Sequence, residues 1–127
     1  RTGNYMVDDG ELTGVLDWEF AGWGDPHEDV AWFCARCWRF SKPELEAGGI
    51  APRNVFYNAY EHASGRTLDA ELIAYWETMA HVRWAVIALQ QAWRHVSGEE
   101  TSLELALTAH VVPELEHEIL AMTGDAA

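Results

Sequence analysis

The sequence predicts a mainly α fold, in which a short β-hairpin is followed by a helical bundle. The first sixteen residues contain two short apolar runs separated by turn residues, a pattern typical of a hairpin. From Pro26 onward, apolar residues recur at helical spacing between capping residues and glycines. At 127 residues the chain is long enough for one domain with a hydrophobic core and too short for two.

The hairpin is predicted from residues 5–7 and 12–16 as its two strands. Between them, residues 8–11 have the composition of a tight turn, in which Gly10 can adopt a positive φ. Residues 17–25 are predicted to form a loop rich in glycine and aromatic residues.

A first helix is predicted from Pro26 to about Phe40, because proline fits the first helical turn and Asp25 can cap it. Residues 41–52 form a predicted connection, with Gly48 and Gly49 as a flexible point. Pro52 then opens a second predicted helix, which ends near Gly65. Its apolar side is expected to consist of Val55, Phe56, Ala59 and Tyr60.

Asp69 predicts the cap of a third helix, running from about Ala70 to His95. A final helical region follows Gly98, and Pro113 is expected to break or kink it, because a mid-helix proline costs roughly 3 kcal/mol. The third helix is apolar nearly all round, which predicts a central helix packed on several neighbours. The residues concerned are Leu72, Trp76, Met79, Val82, Val86, Leu89 and Trp93.

Composition excludes some classes of function. The formal net charge of -13 disfavours nucleic-acid binding, because a phosphate backbone would be repelled. It fits a polycationic substrate or a metal-ion site, although a solvated acidic surface explains it more simply. No apolar run reaches the roughly 18 residues of a membrane span, and no stretch has the basic–apolar–small pattern of a signal peptide. Most of the seven Trp residues are expected to be buried or to line a cleft.

Cys34 and Cys37 form a C-x-x-C motif, which occurs in redox and zinc sites. With Val30, Phe33 and Trp38 they follow one helical stripe, and the sequence contains no second cysteine pair. We therefore expect both thiols to be reduced, buried and free of metal, in a protein of the reducing cytoplasm.

Asn4 precedes the first predicted strand, and Asp17 follows the second. A hairpin brings these two side chains to the same end. Amide and carboxylate oxygens suit Mg²⁺, which takes few protein ligands and completes its shell with phosphate oxygens and water. A turn Asn beside a capping Asp, with no metal, would produce the same pattern.

Three neighbouring runs make the pattern specific. They are residues 3–10 (GNYMVDDG), residues 14–21 (GVLDWEFA) and residues 24–31 (GDPHEDVA). Together they resemble the aminoglycoside phosphotransferase (APH, choline-kinase-like) family, with its H-G-D-x-x-x-x-N loop, its strand ending in I-D-W-E and its G-D-P-x-x-D-L-A segment. The resemblance covers about thirty residues, and the helices after residue 52 match only in kind.

The resemblance implies the C-terminal lobe of a protein-kinase-like fold, and an enzyme that transfers a phosphoryl group from ATP to the hydroxyl of a small molecule with Mg²⁺. It implies that Asn4 and Asp17 are the Mg²⁺ ligands, and that Glu19 lines the same cleft, reaching a second metal or the substrate. Asp25 and Asp29 would be framework positions. Residues 1–25 would be the catalytic-loop remnant, hairpin and metal loop, and residues 26–127 the helical substrate subdomain.

The resemblance also places the family's catalytic Asp two residues before Arg1, and its ATP-binding lobe further upstream. We therefore expect the complete protein to be longer, and residues 1–127 alone to be inactive. The segment around Cys34 to Arg39, with Gly48 and Gly49, looks most similar to the bacterial phosphotransferases related to acyl-CoA dehydrogenase-fused kinase domains. The acceptor itself stays open among aminoglycoside, choline-like, sugar and hydroxyacyl compounds.

Six further side chains have two interpretations. Arg36, Arg39, Arg83 and Arg94 could meet an anionic substrate, but pairing with nearby Glu and Asp is the favoured interpretation. His81 and His95 are expected to be hydrogen-bonded core residues rather than catalytic ones. The rival to the kinase hypothesis is a non-catalytic helical interaction module that forms a homodimer through an exposed apolar face.

Overall fold

The computed structural model describes residues 1–124. The predicted hairpin is confirmed: β1 spans Tyr5–Asp8 and β2 spans Glu11–Val15, paired antiparallel. Asp9 and Gly10 both have positive φ, at 47° and 81°, as a two-residue type I′ turn requires. Between Met6 and Val7 the register shifts by one residue.

Within the described residues, five α-helices follow the hairpin, so the mainly helical prediction is confirmed. They are α1 (Pro26–Cys34), α2 (Arg53–Ser64), α3 (Ala70–Val96), α4 (Leu103–Thr108) and α5 (Val112–Thr123). The predicted boundaries at α2 and α3 are confirmed, because Pro52 precedes α2, Gly65 ends it at a φ of 68°, and Asp69 caps α3. Pro113 lies in the first turn of α5, after a 3₁₀ turn at residues 109–111.

The predicted end of the first helix near Phe40 is wrong, because α1 ends at Cys34. Ala35 is extended, with a ψ of 141°, and residues 36–38 form a 3₁₀ turn. Tertiary hydrogen bonds replace the lost helical ones. The Arg39 guanidinium donates to the Cys34 carbonyl at 2.9 and 3.1 Å, and the Arg36 N–H donates to His81 Nε2 at 3.3 Å.

The connection at residues 41–52 is a packed turn rather than a flexible point. Gly48 and Gly49 have φ of 59° and 76°, and Ala47 bridges Ala51. A Cβ on Gly48 would lie 2.7 Å from the Phe33 ring, so the glycine permits a close approach that no other residue allows.

The prediction that α3 is the central helix is confirmed, because it packs against α1, α4 and α5. The choice of core residues was partly wrong. On α3 the buried face consists mainly of small or polar residues, and Leu72, Met79, Val86, Leu89 and Trp93 are exposed. On α2, Phe56, Tyr57 and Tyr60 pack on the core, while Val55 and Ala59 are exposed. The buried residues of α3 are Ile73, Glu77, Ala80, His81, Ala88 and Ala92.

Four of the seven Trp residues are shielded from solvent, so the expected burial holds for part of the set. Trp38 is buried and Trp32, Trp76 and Trp84 are half-buried, whereas Trp18, Trp23 and Trp93 are exposed. Across residues 1–124, no helix is both long enough and apolar enough to cross a bilayer.

Candidate functional site

The hairpin brings Asn4 and Asp17 together at its open end, as predicted. Asn4 Nδ2 donates to Asp17 Oδ2 at 2.8 Å, and both side chains are reachable from solvent. Backbone pairing between the two sides of the hairpin continues past the strands, because the Leu16 N–H donates to the Asn4 carbonyl at 2.7 Å. This backbone hydrogen bond therefore fixes the two ends of the hairpin next to the Asn4–Asp17 pair.

The Asp17 carboxylate is aimed by an unusual backbone conformation. Asp17 is left-handed, with φ 65° and ψ 57°, and begins a 3₁₀ turn at Trp18–Phe20. The Trp18 indole N–H holds this turn by donating to the Val15 carbonyl at 2.7 Å. Asp is one of the few residues other than glycine that tolerates this conformation, which costs most side chains about 1–2 kcal/mol. Such strain is concentrated at functional sites.

The Asn4–Asp17 pair is suited to a Mg²⁺ ion that takes few protein ligands, and not to a metal site made only of protein side chains. Its donors are hard oxygens, and a half-turn of the Asn4 amide presents Oδ1 in place of Nδ2. No cluster of three or more His, Cys, Asp or Glu that could hold a metal occurs within residues 1–124. An ion at this pair would need most of its ligands from phosphate and water, which is how Mg²⁺ is usually bound. The metal role of the two residues stays a prediction.

Glu19 lies in the 3₁₀ turn two residues beyond Asp17, and its side chain is exposed. Arg83 holds this turn against the helices: its guanidinium lies 5.6 Å from the Phe20 ring centroid, 5.8 Å from the Trp32 centroid, and 2.6 Å from Glu28 Oε1. Glu19 is therefore a neighbour of Asp17 along the chain, in a turn that Arg83 contacts through Phe20. Its predicted role toward a substrate or second metal stays a prediction.

Asp25 is the framework residue that the sequence predicted. Its Oδ1 accepts from the His27 N–H at 2.9 Å and lies 2.5 Å from His27 Nδ1, while Oδ2 accepts from the Trp76 indole at 3.2 Å. Two hydrogen bonds from His27 lower the pKa of Asp25, and the one from the His27 backbone N–H has a larger effect than the one from its side chain. His27 Nε2 accepts from the Asp69 N–H at 3.1 Å, so the His27 proton is on Nδ1. Asp25 therefore joins the loop, α1 and α3, and both of its oxygens are occupied.

The arginines are paired, as the favoured interpretation predicted. Arg36 contacts Glu118 at 3.1 Å, Arg83 contacts Glu28, and Arg94 contacts Glu100. Arg39 reaches Glu77 at 3.3 Å and the Cys34 carbonyl. All four guanidiniums are therefore engaged within the chain.

A buried network around Glu77 was missed by the sequence reasoning. Arg53 of α2 binds the Glu77 carboxylate through both oxygens, at 2.6 and 2.9 Å, and Arg39 adds a third contact. Glu46 contacts both arginines, which balances two cations against two carboxylates. Burial raises the pKa of Tyr57, whose hydroxyl accepts from Arg53, to about 12. The sequence feature that could have indicated this network is Glu77 itself, a single carboxylate on the same helical face as Ile73, Ala80 and His81.

Two histidines and the two cysteines also have structural environments. His81 is buried, donates from Nδ1 to the Glu77 carbonyl at 2.7 Å and accepts at Nε2, while His95 Nδ1 accepts from the Ser102 N–H at 3.1 Å. Both histidines are therefore hydrogen-bonded as expected. Cys34 and Cys37 are free thiols, buried and half-buried. Burial raises the pKa of Cys34 to about 11 and that of Cys37 to about 12, so both are protonated at neutral pH.

A groove of about 460 Å³ lies between α2 and α3, beside the Glu77 network. Its charged side chains are already engaged. Arg53 binds Glu77, and Glu61 Oε1 accepts from the Leu68 N–H at 2.7 Å. The groove thus offers few free charged groups to a ligand, in contrast to the open end of the hairpin.

Comparison with known proteins gives one family. The model of the phosphotransferase enzyme family (APH) matches residues 1–81, which include the hairpin, α1, α2 and the first part of α3. No curated protein and no solved structure matches the chain significantly.

Proposed function

We propose that this chain, which belongs to the phosphotransferase enzyme family (APH), carries the metal-holding part of a phosphoryl-transfer site. The observation that carries the proposal is the 2.8 Å contact between Asn4 and Asp17 at the open end of the hairpin. The fold around it would be the C-terminal lobe of a protein-kinase-like enzyme, with residues 26–127 forming the helical part that faces the acceptor.

The proposed roles follow from the chemistry of phosphoryl transfer. A Mg²⁺ ion held at the open end of the hairpin would supply positive charge to offset the negative charge of the transferred phosphoryl group. Asn4 and Asp17 would hold that ion through one amide and one carboxylate oxygen. The left-handed Asp17 and the hydrogen bonds beside it keep the carboxylate oriented before the ion arrives, which lowers the cost of assembling the site.

Glu19 would extend this polar edge toward the acceptor hydroxyl or a second ion. The reaction proposed for the complete enzyme is transfer of the γ-phosphoryl group of ATP to a hydroxyl of a small molecule. The acceptor side would be bounded by the helical part. Arginines that are already paired with Glu or Asp would contribute little to binding it.

The direct test measures divalent-cation binding by the purified chain. Mn²⁺ is a spectroscopic substitute for Mg²⁺, and its free fraction is followed by electron paramagnetic resonance with and without ATP. We expect Asp17→Asn and Asn4→Ala each to weaken binding about tenfold or more, which corresponds to roughly 1.4 kcal/mol.

The matched control is Asp8→Asn, which removes an exposed carboxylate from the same hairpin at its opposite end. It should leave Mn²⁺ binding unchanged. Equal weakening by Asp8→Asn and Asp17→Asn would show that the ion is attracted only by the acidic surface, and would refute the site.

A further inference from the structure

The outward face of α3 carries a heptad repeat. Eight apolar residues follow one another at alternating spacings of three and four, over more than three heptads, and this is the pattern of positions a and d in a coiled coil. They are Leu72, Tyr75, Met79, Val82, Val86, Leu89, Trp93 and Val96, and are called the α3 seam below.

The α3 seam is open to solvent. Seven of its side chains are between 38% and 72% exposed, and Val82 is half-buried. The opposite face of the helix, with Ile73, Ala80 and Ala88, packs into the molecule. An exposed apolar stripe of this length on a helix that is already anchored indicates an interaction surface.

The spacing identifies the shape of the occupant. A narrow apolar stripe with a mean period of 3.5 residues is typical of a helix that packs along a second helix, whereas a helix that faces a globular core usually has a broader apolar stripe. The 27 residues of α3 form a helix about 40 Å long, enough for a stable helical pair. A helix of the same length and period is present in every copy of this chain.

We propose that the α3 seam pairs with the α3 seam of a second copy of this chain, in antiparallel orientation. The seam is self-complementary in that arrangement, and a two-fold axis near Trp84 relates the two copies. Each a residue then faces a d residue of the partner copy, pairing Leu72 with Val96, Tyr75 with Trp93, Met79 with Leu89, and Val82 with Val86.

Charge permits this pairing despite the acidic chain. Of the 21 Asp and Glu residues, α3 carries Glu71 and Glu77, balanced by Arg83 and Arg94. Glu77 is buried and paired with Arg53, so it does not face the seam. The excess negative charge therefore lies on other elements. Antiparallel packing also sets the two helix dipoles in opposition, which is the favourable orientation.

The available area is adequate for a stable dimer. The exposed seam side chains leave on the order of 800 Å² accessible on each copy, about what one partner contributes to an interface of standard size. Tyr75 and Trp93 supply aromatic side chains of the kind that dominate such interfaces.

The test is sedimentation equilibrium of the chain and of two matched variants. Val86→Glu places a carboxylate in the middle of the α3 seam, and Val55→Glu places one on α2 at nearly equal exposure, 49% against 54%. We expect the wild type and Val55→Glu to be dimers, and Val86→Glu to raise the dimer dissociation constant on the order of 100-fold or more. Circular dichroism checks that each variant is folded, and Leu89→Lys is a second variant of the seam.

Orientation is tested by cross-linking in a Cys34→Ala, Cys37→Ala background. The ends of the seam are about 36 Å apart along the helix, so a mixture of Leu72→Cys and Val96→Cys chains forms mixed disulfides only if the helices are antiparallel. Each variant alone would cross-link only in a parallel dimer, which would overturn the orientation.

Several results would overturn the proposal itself. One is a wild-type chain that stays monomeric at high concentration. Another is equal weakening of the dimer by Val55→Glu and Val86→Glu. A longer product of the same gene that sediments as a monomer with Trp93 shielded from solvent would assign the α3 seam to another segment of the polypeptide. Failure of the Mn²⁺ test would leave these results unaffected, because neither Asn4 nor Asp17 lies on the seam.

Discussion

The hairpin region, residues 1–25, and the helical region, residues 26–124, use polar side chains in opposite ways. In the hairpin region, Asn4 and Asp17 are solvent-accessible, contact each other, and depend on a left-handed backbone. In the helical region, Glu77 is buried and receives hydrogen bonds from two arginines. The chemistry proposed here therefore depends on side chains whose substitution should cost little stability, whereas the fold depends on a polar network for which no chemistry is proposed.

Substitution of Glu77, in the helical region, should therefore lower the free energy of unfolding more than any other change considered below. Glu77→Ala leaves the half-buried Arg53 and Arg39 with only Glu46 as a carboxylate partner. Removing one side of a buried ion pair costs about 3–5 kcal/mol, and because Glu46 remains we expect a loss near the lower end of that range. The free energy of unfolding in urea measures this loss. Glu71→Ala, on the exposed first turn of the same helix, is the control and should cost less than about 1 kcal/mol. Similar costs for the two variants would mean that the Glu77 network does not support the fold.

The second prediction compares one glycine from each region. Gly48 and Gly10 both have positive φ, so alanine at either position costs about 1–2 kcal/mol from backbone strain. At Gly48 the new Cβ also overlaps the Phe33 ring, which adds about 1–3 kcal/mol, whereas at Gly10 nothing lies within 4 Å. Urea denaturation of Gly48→Ala and Gly10→Ala should rank them in that order. The opposite ranking would show that the hairpin turn, not the packed turn, limits stability.

The third prediction concerns Asp25, where the two regions meet. Its pKa in the folded protein lies below the ordinary value of 3.8, because His27 donates to it from its backbone and its side chain. The ionised carboxylate therefore contributes stability above that value, and the contribution is lost as pH falls through the lower folded pKa.

The variant that isolates this effect is Asp25→Asn, which keeps a capping oxygen but cannot ionise. The difference in unfolding free energy between wild type and variant should be constant above about pH 5 and shrink toward pH 2. Asp8→Asn serves as the control on the exposed hairpin. A wild-type advantage that grew as pH fell would contradict the assigned hydrogen bonds.

The same contrast explains which features could be predicted from the sequence. Asn4 and Asp17 are 13 residues apart across one hairpin, so turn chemistry alone brings them together. Arg53 and Arg39 reach Glu77 from 24 and 38 residues away, and no local pattern reports which helix faces will meet. The cap of α3 at Asp69 and a break in the final helical region at Pro113 could be predicted because caps and prolines act locally; the break separates α4 from α5.

The end of α1 shows the limit of local reasoning. Its apolar spacing continues to Trp38, yet the helix ends at Cys34, because Arg39 and His81 satisfy the backbone groups that the helix gives up. The exposed face of α3 shows another limit. Its periodicity was visible in the sequence, but the pattern does not say which side faces the core, since alanines and Glu77 occupy the buried side.

The smallest expected effect on stability is at the proposed metal site. Asp17→Asn keeps a side chain that tolerates the left-handed backbone and can still hydrogen-bond Asn4, so the free energy of unfolding should change by less than about 0.5 kcal/mol. The same substitution removes the charged oxygen that a Mg²⁺ ion needs, and Mn²⁺ binding should fall. Urea denaturation measures the effect on stability, and the Mn²⁺ titration by electron paramagnetic resonance, on the same protein sample, measures the effect on binding. Asp17→Gly is a second variant, which relieves any backbone strain at this position. If Asp17→Asn instead lowered the free energy of unfolding about as much as Glu77→Ala, Asp17 would be a structural residue. The contrast between the two regions would then not hold.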